Sequence, residues 1–361
     1  MATPAHLPTP GIGTDAQFAA LQGALEAAGY SEQAVCDRLD LQQIFDFRLQ
    51  GAPYLEQDPA DALGMLIRLL MECGPVSREA TPGLPWEEMR ALGLVKPHAS
   101  QTGTWVSTAM LYPVRGLYIA SDRTRNLATG GPPPDDFVYP ALIANTGLFL
   151  SLIQSGPCAA FLDLCSGTGV AALDAARSGA REAWAFDLTE RCAHYAEFNR
   201  RLNGLWNVTP GCGDLYEPGP GVTYDRIVAH PPYMPVYRPH MIFDSGGQDG
   251  EQIVRRIIEG LPEHLRPGGR FHALTMGTDR SEPFEKRLRR WLGEAEGEFD
   301  VAFVVIYRVT EPLGLLSFAP ECFAHLLVPL VPLPFVLSMG VLEDAIASVT
   351  KPVPHGGSMI A

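Results

Sequence analysis

The stretch Phe161 to Ala176, FLDLCSGTGVAALDAA, limits what this chain can fold into more than any other. An apolar strand breaks into a Gly-rich turn, and the turn opens at once into a helix of small residues. Backbone N–H groups and a helix N-terminus then face whatever lies above the turn, which makes the unit a seat for a nucleotide-like cofactor. The surrounding chain alternates in the same way. A helix is expected near Ala141 to Gln154, then strand Ala160 to Cys165, helix Val170 to Ser178, strand Glu182 to Asp187, helix Thr189 to Asn203 and a strand near Val208. Strand Arg226 to Ala229, helix Gln252 to Leu265, strand Arg270 to Met276, helix Ser281 to Leu292, strand Val301 to Arg308 and a last strand within His325 to Leu337 follow. Such alternation predicts a parallel α/β sheet with helices on both faces and a ligand site at the carboxyl ends of the strands.

Before this region the pattern differs. Thr14 and Gln17 form a capping box, and Phe18, Leu21 and Leu25 repeat at helical spacing until Gly29. Further helices are expected after Ser31, over Pro59 to Cys73, and from Pro85 to about Leu92. Thr104 to Leu111 and Arg115 to Ala120 read as two strands of a hairpin. Helices followed by a hairpin resemble a winged-helix arrangement. Residues 1–135 nevertheless hold 9 Lys and Arg against 15 Asp and Glu, so the basic footprint of a nucleic-acid binder is missing. The Pro/Gly cluster Gly130 to Asp136 divides the chain into a helical and hairpin domain over 1–135 and an α/β domain over 136–361.

The net charge of −14 across 361 residues argues against holding nucleic acid by general phosphate neutralisation, although a local patch stays compatible with it. Seven cysteines without a C-x-x-C pair fit a reducing, cytoplasmic setting, and no His/Cys spacing suggests a metal site. The N-terminus has neither a basic nor an apolar leader segment. The apolar run Cys322 to Leu342 contains Pro329, Pro332 and Pro334, which suits a buried strand better than a membrane span.

Gly167 to Ala172, GTGVAA, also fits the G-x-G-x-x-A dinucleotide fingerprint, with Asp187 18 residues after Gly169. By itself this does not separate a nicotinamide from another adenosine cofactor. A strand-end carboxylate such as Asp187 can accept from both ribose hydroxyls, each charge-assisted bond contributing roughly 1.5–3 kcal/mol. Its ordinary alternative is to cap the next helix, a task for which Thr189 competes.

The strand Tyr224 to Ala229 runs into His230-Pro231-Pro232-Tyr233. Together with the Gly-rich turn, this resembles the class I S-adenosylmethionine-dependent methyltransferases that modify planar nitrogens, whose signature is Asn or Asp before Pro-Pro-aromatic. Here the first position is His. GDLYEP (Gly213 to Pro218) stands where that family places an adenine-contacting acid. DSGGQDGEQIVRRII (Asp244 to Ile258) is similar to a segment of the HemK-like protein glutamine methyltransferases, and LRPGG (Leu265 to Gly269) matches the turn before their fifth strand. An Arg-x-x-Thr-Glu-like element usual before the Gly-rich strand is absent from FVYPALIANTGL, Phe137 to Leu148.

The resemblance implies a Rossmann-like, seven-stranded, mostly parallel sheet and S-adenosylmethionine as cofactor. It implies cofactor contacts from Asp163, Cys165, Ser166, Gly167, Thr168, Gly169, Asp187, Leu188 and Asp214. His230, Pro231 and Tyr233 become the catalytic residues, and Pro232, Tyr237 and Arg238 the substrate-binding ones. The prolines fix the carbonyl direction by locking φ, and Tyr233 would lie on a flat acceptor, where stacking contributes on the order of 0.5–1.5 kcal/mol.

A neutral His230 can accept one hydrogen bond and an imidazolium none. Activity is therefore expected to fall below about pH 6.5, the unperturbed value. The implied reaction is N-methylation of a protein side-chain amide, with an exocyclic base amine in RNA or DNA or a small nitrogen compound as alternative acceptors. A nicotinamide oxidoreductase would leave HPPY unexplained, and a non-catalytic cofactor-binding module remains a further alternative. Lys286, Arg287, Arg289 and Arg290 read as a solvated helix face.

Overall fold

The computed structural model describes residues 7–55, 59–79, 81, 83–124, 133–154, 156–235, 242–279, 282–310 and 341–350. In the first part, helices α1 (Asp15–Ala27), α2 (Glu32–Leu39), α3 (Ala62–Leu66) and α4 (Trp86–Ala91) are interleaved with short strands β1 (Val76–Ser77), β2 (Val95–Pro97) and β3 (Thr104–Ser107). The capping box of α1 forms as its sequence requires, Gln17 N donating to Thr14 Oγ1 at 3.3 Å and Thr14 N to Gln17 Oε1 at 2.8 Å. The helix expected over Pro59 to Cys73 is α3 continued by a π-helical turn, Ile67–Met71.

The expected hairpin is divided. Strand β3 pairs with β1 and β2, while Met110–Val114 (β4) pairs with Leu117–Ser121 (β5) as a separate antiparallel ribbon. The break falls at Thr108, whose N–H donates to Leu94 O at 2.8 Å and whose hydroxyl donates to Gly93 O. Both groups are thus drawn to the connection before β2, and the strand cannot continue straight.

After α5 (Ala144–Leu152) come β6 (Cys158–Leu164), α6 (Val170–Arg177), β7 (Ala180–Asp187), α7 (Glu190–Leu202), β8 (Val208–Cys212) and β9 (Tyr224–Ala229). Then follow α8 (Gln252–His264), β10 (Leu265–Asp279), α9 (Phe284–Trp291), β11 (Asp300–Thr310) and β12 (Val341–Thr350). The sheet order is β8-β7-β6-β9-β10-β12-β11. Strands β8, β7, β6, β9 and β10 run parallel, and β12 lies antiparallel between β10 and β11. The chain reverses its direction of winding between β6 and β9, so a crevice opens beyond their carboxyl ends. The last strand expected within His325 to Leu337 lies outside the described residues, as do Pro329, Pro332 and Pro334.

One face of the sheet shares its core with the preceding helices, as Phe18 meets Phe198 of α7 edge-on at 5.1 Å. The other face packs α8 and α9 through Val254, Ile257, Leu261, Phe284 and Leu288. Among the described residues no helix is long and apolar enough to cross a membrane.

Candidate active site

Leu164 of β6 lies level with Phe186 of β7 and Ala229 of β9, and Asp187 is level with Cys212 of β8. The segments that follow each strand, Cys165 to Gly169, Asp187 to Thr189, Gly213 to Asp214 and His230 to Tyr233, therefore leave the sheet side by side at its carboxyl edge. Cys165, Gly167 and Gly169 all take positive φ, at 56°, 53° and 77°, and Gly169 N closes the turn on Ser166 O at 2.8 Å. A Cβ on Gly169 would stand 3.0 Å from Ala196 Cβ on α7, whereas one on Gly167 would meet open space. The two glycines thus serve different ends: one lets a helix approach, the other leaves room above the turn.

Asp163 is buried beneath the turn and accepts from the N–H groups of Ala171 and Ala172 at the start of α6. Burial drives its pKa well above the usual carboxylate range, those bonds opposing the shift. Asp187 has its Oδ2 on Gly167 N at 2.9 Å and its Oδ1 near Thr189 N at 3.3 Å. Burial raises its pKa and the backbone donors again oppose this. The cap of α7 falls to Thr189, whose Oγ1 accepts from Cys192 N at 3.1 Å. Asp187 therefore ties two strand-end loops together, and it also takes hydrogen bonds from the Leu188 N–H and the Cys192 thiol.

Ser166 Oγ is buried without a hydrogen-bond partner among the described residues, Leu188 is 54% exposed beside Asp187, and Thr168 is buried, its carbonyl accepting from Asn199 Nδ2 at 2.9 Å. Asp214 pairs with Arg256 of α8 at 2.7 Å. Burial, then the charges of Asp187, Asp163 and Asp214, push the Cys165 thiol well above its ordinary value, so it stays protonated and unreactive.

His230 lies between two rings, its centroid 5.3 Å from Phe149 and 5.8 Å from Tyr233 with interplanar angles of 35° and 25°. Loss of solvent lowers its pKa to about 4. The onset expected near pH 6.5 from an unperturbed imidazole thus moves, because a protonated ring has no water there to solvate it. Tyr233 Oη receives a hydrogen bond from Asn145 Nδ2 at 2.8 Å. Pro231 is buried and Pro232 half-buried; Tyr237 and Arg238 lie outside the described residues.

Behind this turn, Met234 N donates to Asp244 O and Gly246 N to Met234 O, both at 2.9 Å. Gly250 (φ 78°) passes so close that a Cβ there would sit within 2.4 Å of Tyr233 O. The DSGGQDG segment is a buttress for HPPY.

Residues 137–306 match the family model described as "Methyltransferase small domain". The chain resembles that family over these residues. It is similar to the ribosomal protein uL3 glutamine methyltransferase of Bradyrhizobium diazoefficiens, 34% identical over 40% of this chain and 49% of that protein. It is also similar to the release factor glutamine methyltransferase of Thermodesulfovibrio yellowstonii, 31% identical over 30% of this chain and 43% of that protein. The chain thus spans about half the length of these curated relatives. Among solved structures, TYW2 of M. jannaschii in complex with AdoMet aligns at a TM-score of 0.40, 15% identity, 70% of this chain and 92% of that chain.

Around the strand-end turns stand residues that sequence patterns did not flag. Asn145 and Phe149, four residues apart on α5, form one wall. Asn199 joins Thr168 O to β5, accepting from Ala120 N at 2.7 Å and donating to Ala120 O at 3.0 Å. An Asn inside an otherwise apolar helix face was the available signal. The solvated face expected for the basic cluster is corrected at Arg287, which is buried and pairs in two bonds with Glu251, directly after the buttress. Arg289 and Arg290 pair with Glu285 and Glu282. Among the described residues no His/Cys/Asp/Glu cluster suits a metal ion.

Proposed function

We propose that this chain is an S-adenosylmethionine-dependent N-methyltransferase whose acceptor is a planar protein side-chain amide of the glutamine type, acting in the cytoplasm. The reading rests on the juxtaposition of the Gly-rich turn and HPPY at the ends of hydrogen-bonded parallel strands, level at Leu164 and Ala229. Residues 136–361 would carry the chemistry and residues 1–135 would help present the acceptor protein.

The residues fit this cofactor. The open space above Gly167, the Ser166 hydroxyl without a partner among the described residues, the strand-end carboxylate of Asp187 and the exposed Leu188 would supply room, a donor, a ribose acceptor and an apolar surface. Thr168 and Gly169 shape the same turn, and Cys165, Asp163 and Asp214 hold its flanks. Bound there, S-adenosylmethionine would supply a methyl group already activated by a sulfonium.

What is left for the chain is positioning and proton management. An amide nitrogen has its lone pair delocalised, and acceptors for its hydrogens favour the tetrahedral geometry it must reach. His230, neutral at every ordinary pH, and the carbonyl of Pro231 would take that role. Tyr233 and Pro232 would hold the amide plane, and Tyr237 and Arg238 would border the mouth. The surplus N–H proton would leave to water.

Calorimetric titration with S-adenosylmethionine, S-adenosylhomocysteine and NAD tests the cofactor. Micromolar binding of the first two and not of NAD is expected, weakened at least tenfold in Asp187→Ala, the range for a lost charge-assisted bond of about 1.5–3 kcal/mol. Binding of NAD alone would overturn the reading in favour of an oxidoreductase.

A further inference from the structure

The HPPY turn carries His where the signature it resembles has Asn or Asp, yet a carboxamide stands in the same array. Asn145 is the second residue of α5, whose N-cap residue, Ile143, offers no side-chain hydrogen bond. An Asn so near a helix start is ordinarily drawn to the free N–H groups. This one instead reaches across to Tyr233 Oη with its Nδ2. Phe149, one turn further along the same face, covers His230. Asn145, Phe149, His230 and Tyr233 thus form a two-by-two array, with α5 on one side and the HPPY turn on the other. The Asn145 carboxamide oxygen has no hydrogen-bond partner among the described residues, and the side chain is half-buried.

Resting on the reading of this chain as an amide methyltransferase, we propose that Asn145 is a further, substrate-contacting acceptor beside His230 and the carbonyl of Pro231. Its Oδ1 takes one N–H of the acceptor amide while Tyr233 holds its Nδ2. The imidazole, flanked by rings, offers one bare nitrogen. A primary amide has two N–H groups; His230 takes one, and Asn145 Oδ1 shares the other with the carbonyl of Pro231. The arrangement selects primary amides over substrates with one N–H.

The test uses the full chain, tritium-labelled S-adenosylmethionine and a set of short glutaminyl peptides, with calorimetry and melting run alongside. Asn145→Ala is expected to lower kcat on the best peptide by ten- to a hundredfold, leaving S-adenosylmethionine affinity within twofold and the melting temperature unchanged. Asn145→Asp, which keeps an acceptor oxygen, recovers most of that rate.

The Tyr233→Phe background separates contact from mere support of Tyr233. There, Asn145→Ala still costs at least tenfold if its oxygen touches the acceptor. No added loss in that background, or no loss in the single variant, overturns the proposal. Binding of the methyl donor with no turnover of any peptide overturns the proposal together with its acceptor class and leaves the cofactor standing. Failure to bind the donor removes the methyltransferase reading itself.

Discussion

An imidazole between the rings of Phe149 and Tyr233 titrates unlike one in water. With its pKa lowered from 6.5 to about 4, His230 stays neutral in the folded chain while the unfolded chain takes up a proton over that window. Protons bound by the unfolded state favour unfolding, so the penalty is absent above about pH 7, grows as pH falls, and is complete below about 4. It amounts to roughly 3 kcal/mol. His272, whose pKa falls to about 4 through burial and the nearby Arg226 and Arg270, acts in the same direction. Urea unfolding free energies between pH 7.5 and 4.5 are expected to fall steeply, and His230→Asn should remove about half of that slope. An unchanged slope would mean the ring is solvated. By the same sign, any share of the methyl-transfer rate that depends on neutral His230 stays level from pH 7 to about 5.5. The sequence supplied the residue and its ordinary pKa; the shift comes from Phe149, on a helix whose packing no local pattern revealed.

At the scale of elements, the turn, HPPY and the glycine segment were all legible because each is a local signal of backbone demand. What the glycines of DSGGQDG are for was not legible, since the demand is set by a segment across space. Gly250 must hold φ at 78° and pass within reach of the Tyr233 carbonyl. A left-handed conformation costs an ordinary residue roughly 1–2 kcal/mol before any clash. Gly250→Ala must also push Tyr233 O away from a position 2.4 Å from its Cβ. It is expected to destabilise the fold by about 2–4 kcal/mol and to lower methyl transfer while S-adenosylmethionine affinity holds. That split would be seen by pairing calorimetry with the labelled-methyl assay; equal loss of both would show that the buttress also shapes the cofactor turn. The hairpin misread at Thr104 to Leu111 has a similar origin, as Thr108 obeys the carbonyls of Gly93 and Leu94 rather than strand propensity.

Over the whole molecule, composition suggested a division near residue 135, yet the residues on its two sides are bonded through buried charge. Asp122, 1% exposed and directly after β5, takes Arg191 of α7 in two bonds, Tyr195 Oη at 2.8 Å and Val138 N at 2.9 Å. Arg191 also donates to Leu7 O at 3.0 Å. Such a network spans segments far apart in sequence, so no window of the chain could have displayed it. Because α7 begins beside Asp187, the same bonds also fix one wall of the cofactor turn. Removing one partner of a buried pair typically costs about 3–5 kcal/mol, most of it from the charge left behind. Asp122→Ala should therefore lower the melting temperature by on the order of 10 °C. The double variant Asp122→Ala with Arg191→Met should recover part of that loss, because the stranded guanidinium is gone. With a shared core and this network, calorimetry is expected to record one cooperative transition for wild type. Two resolved transitions, with Asp122→Ala moving only one of them, would show that the two parts unfold independently and that the bonds between them contribute little.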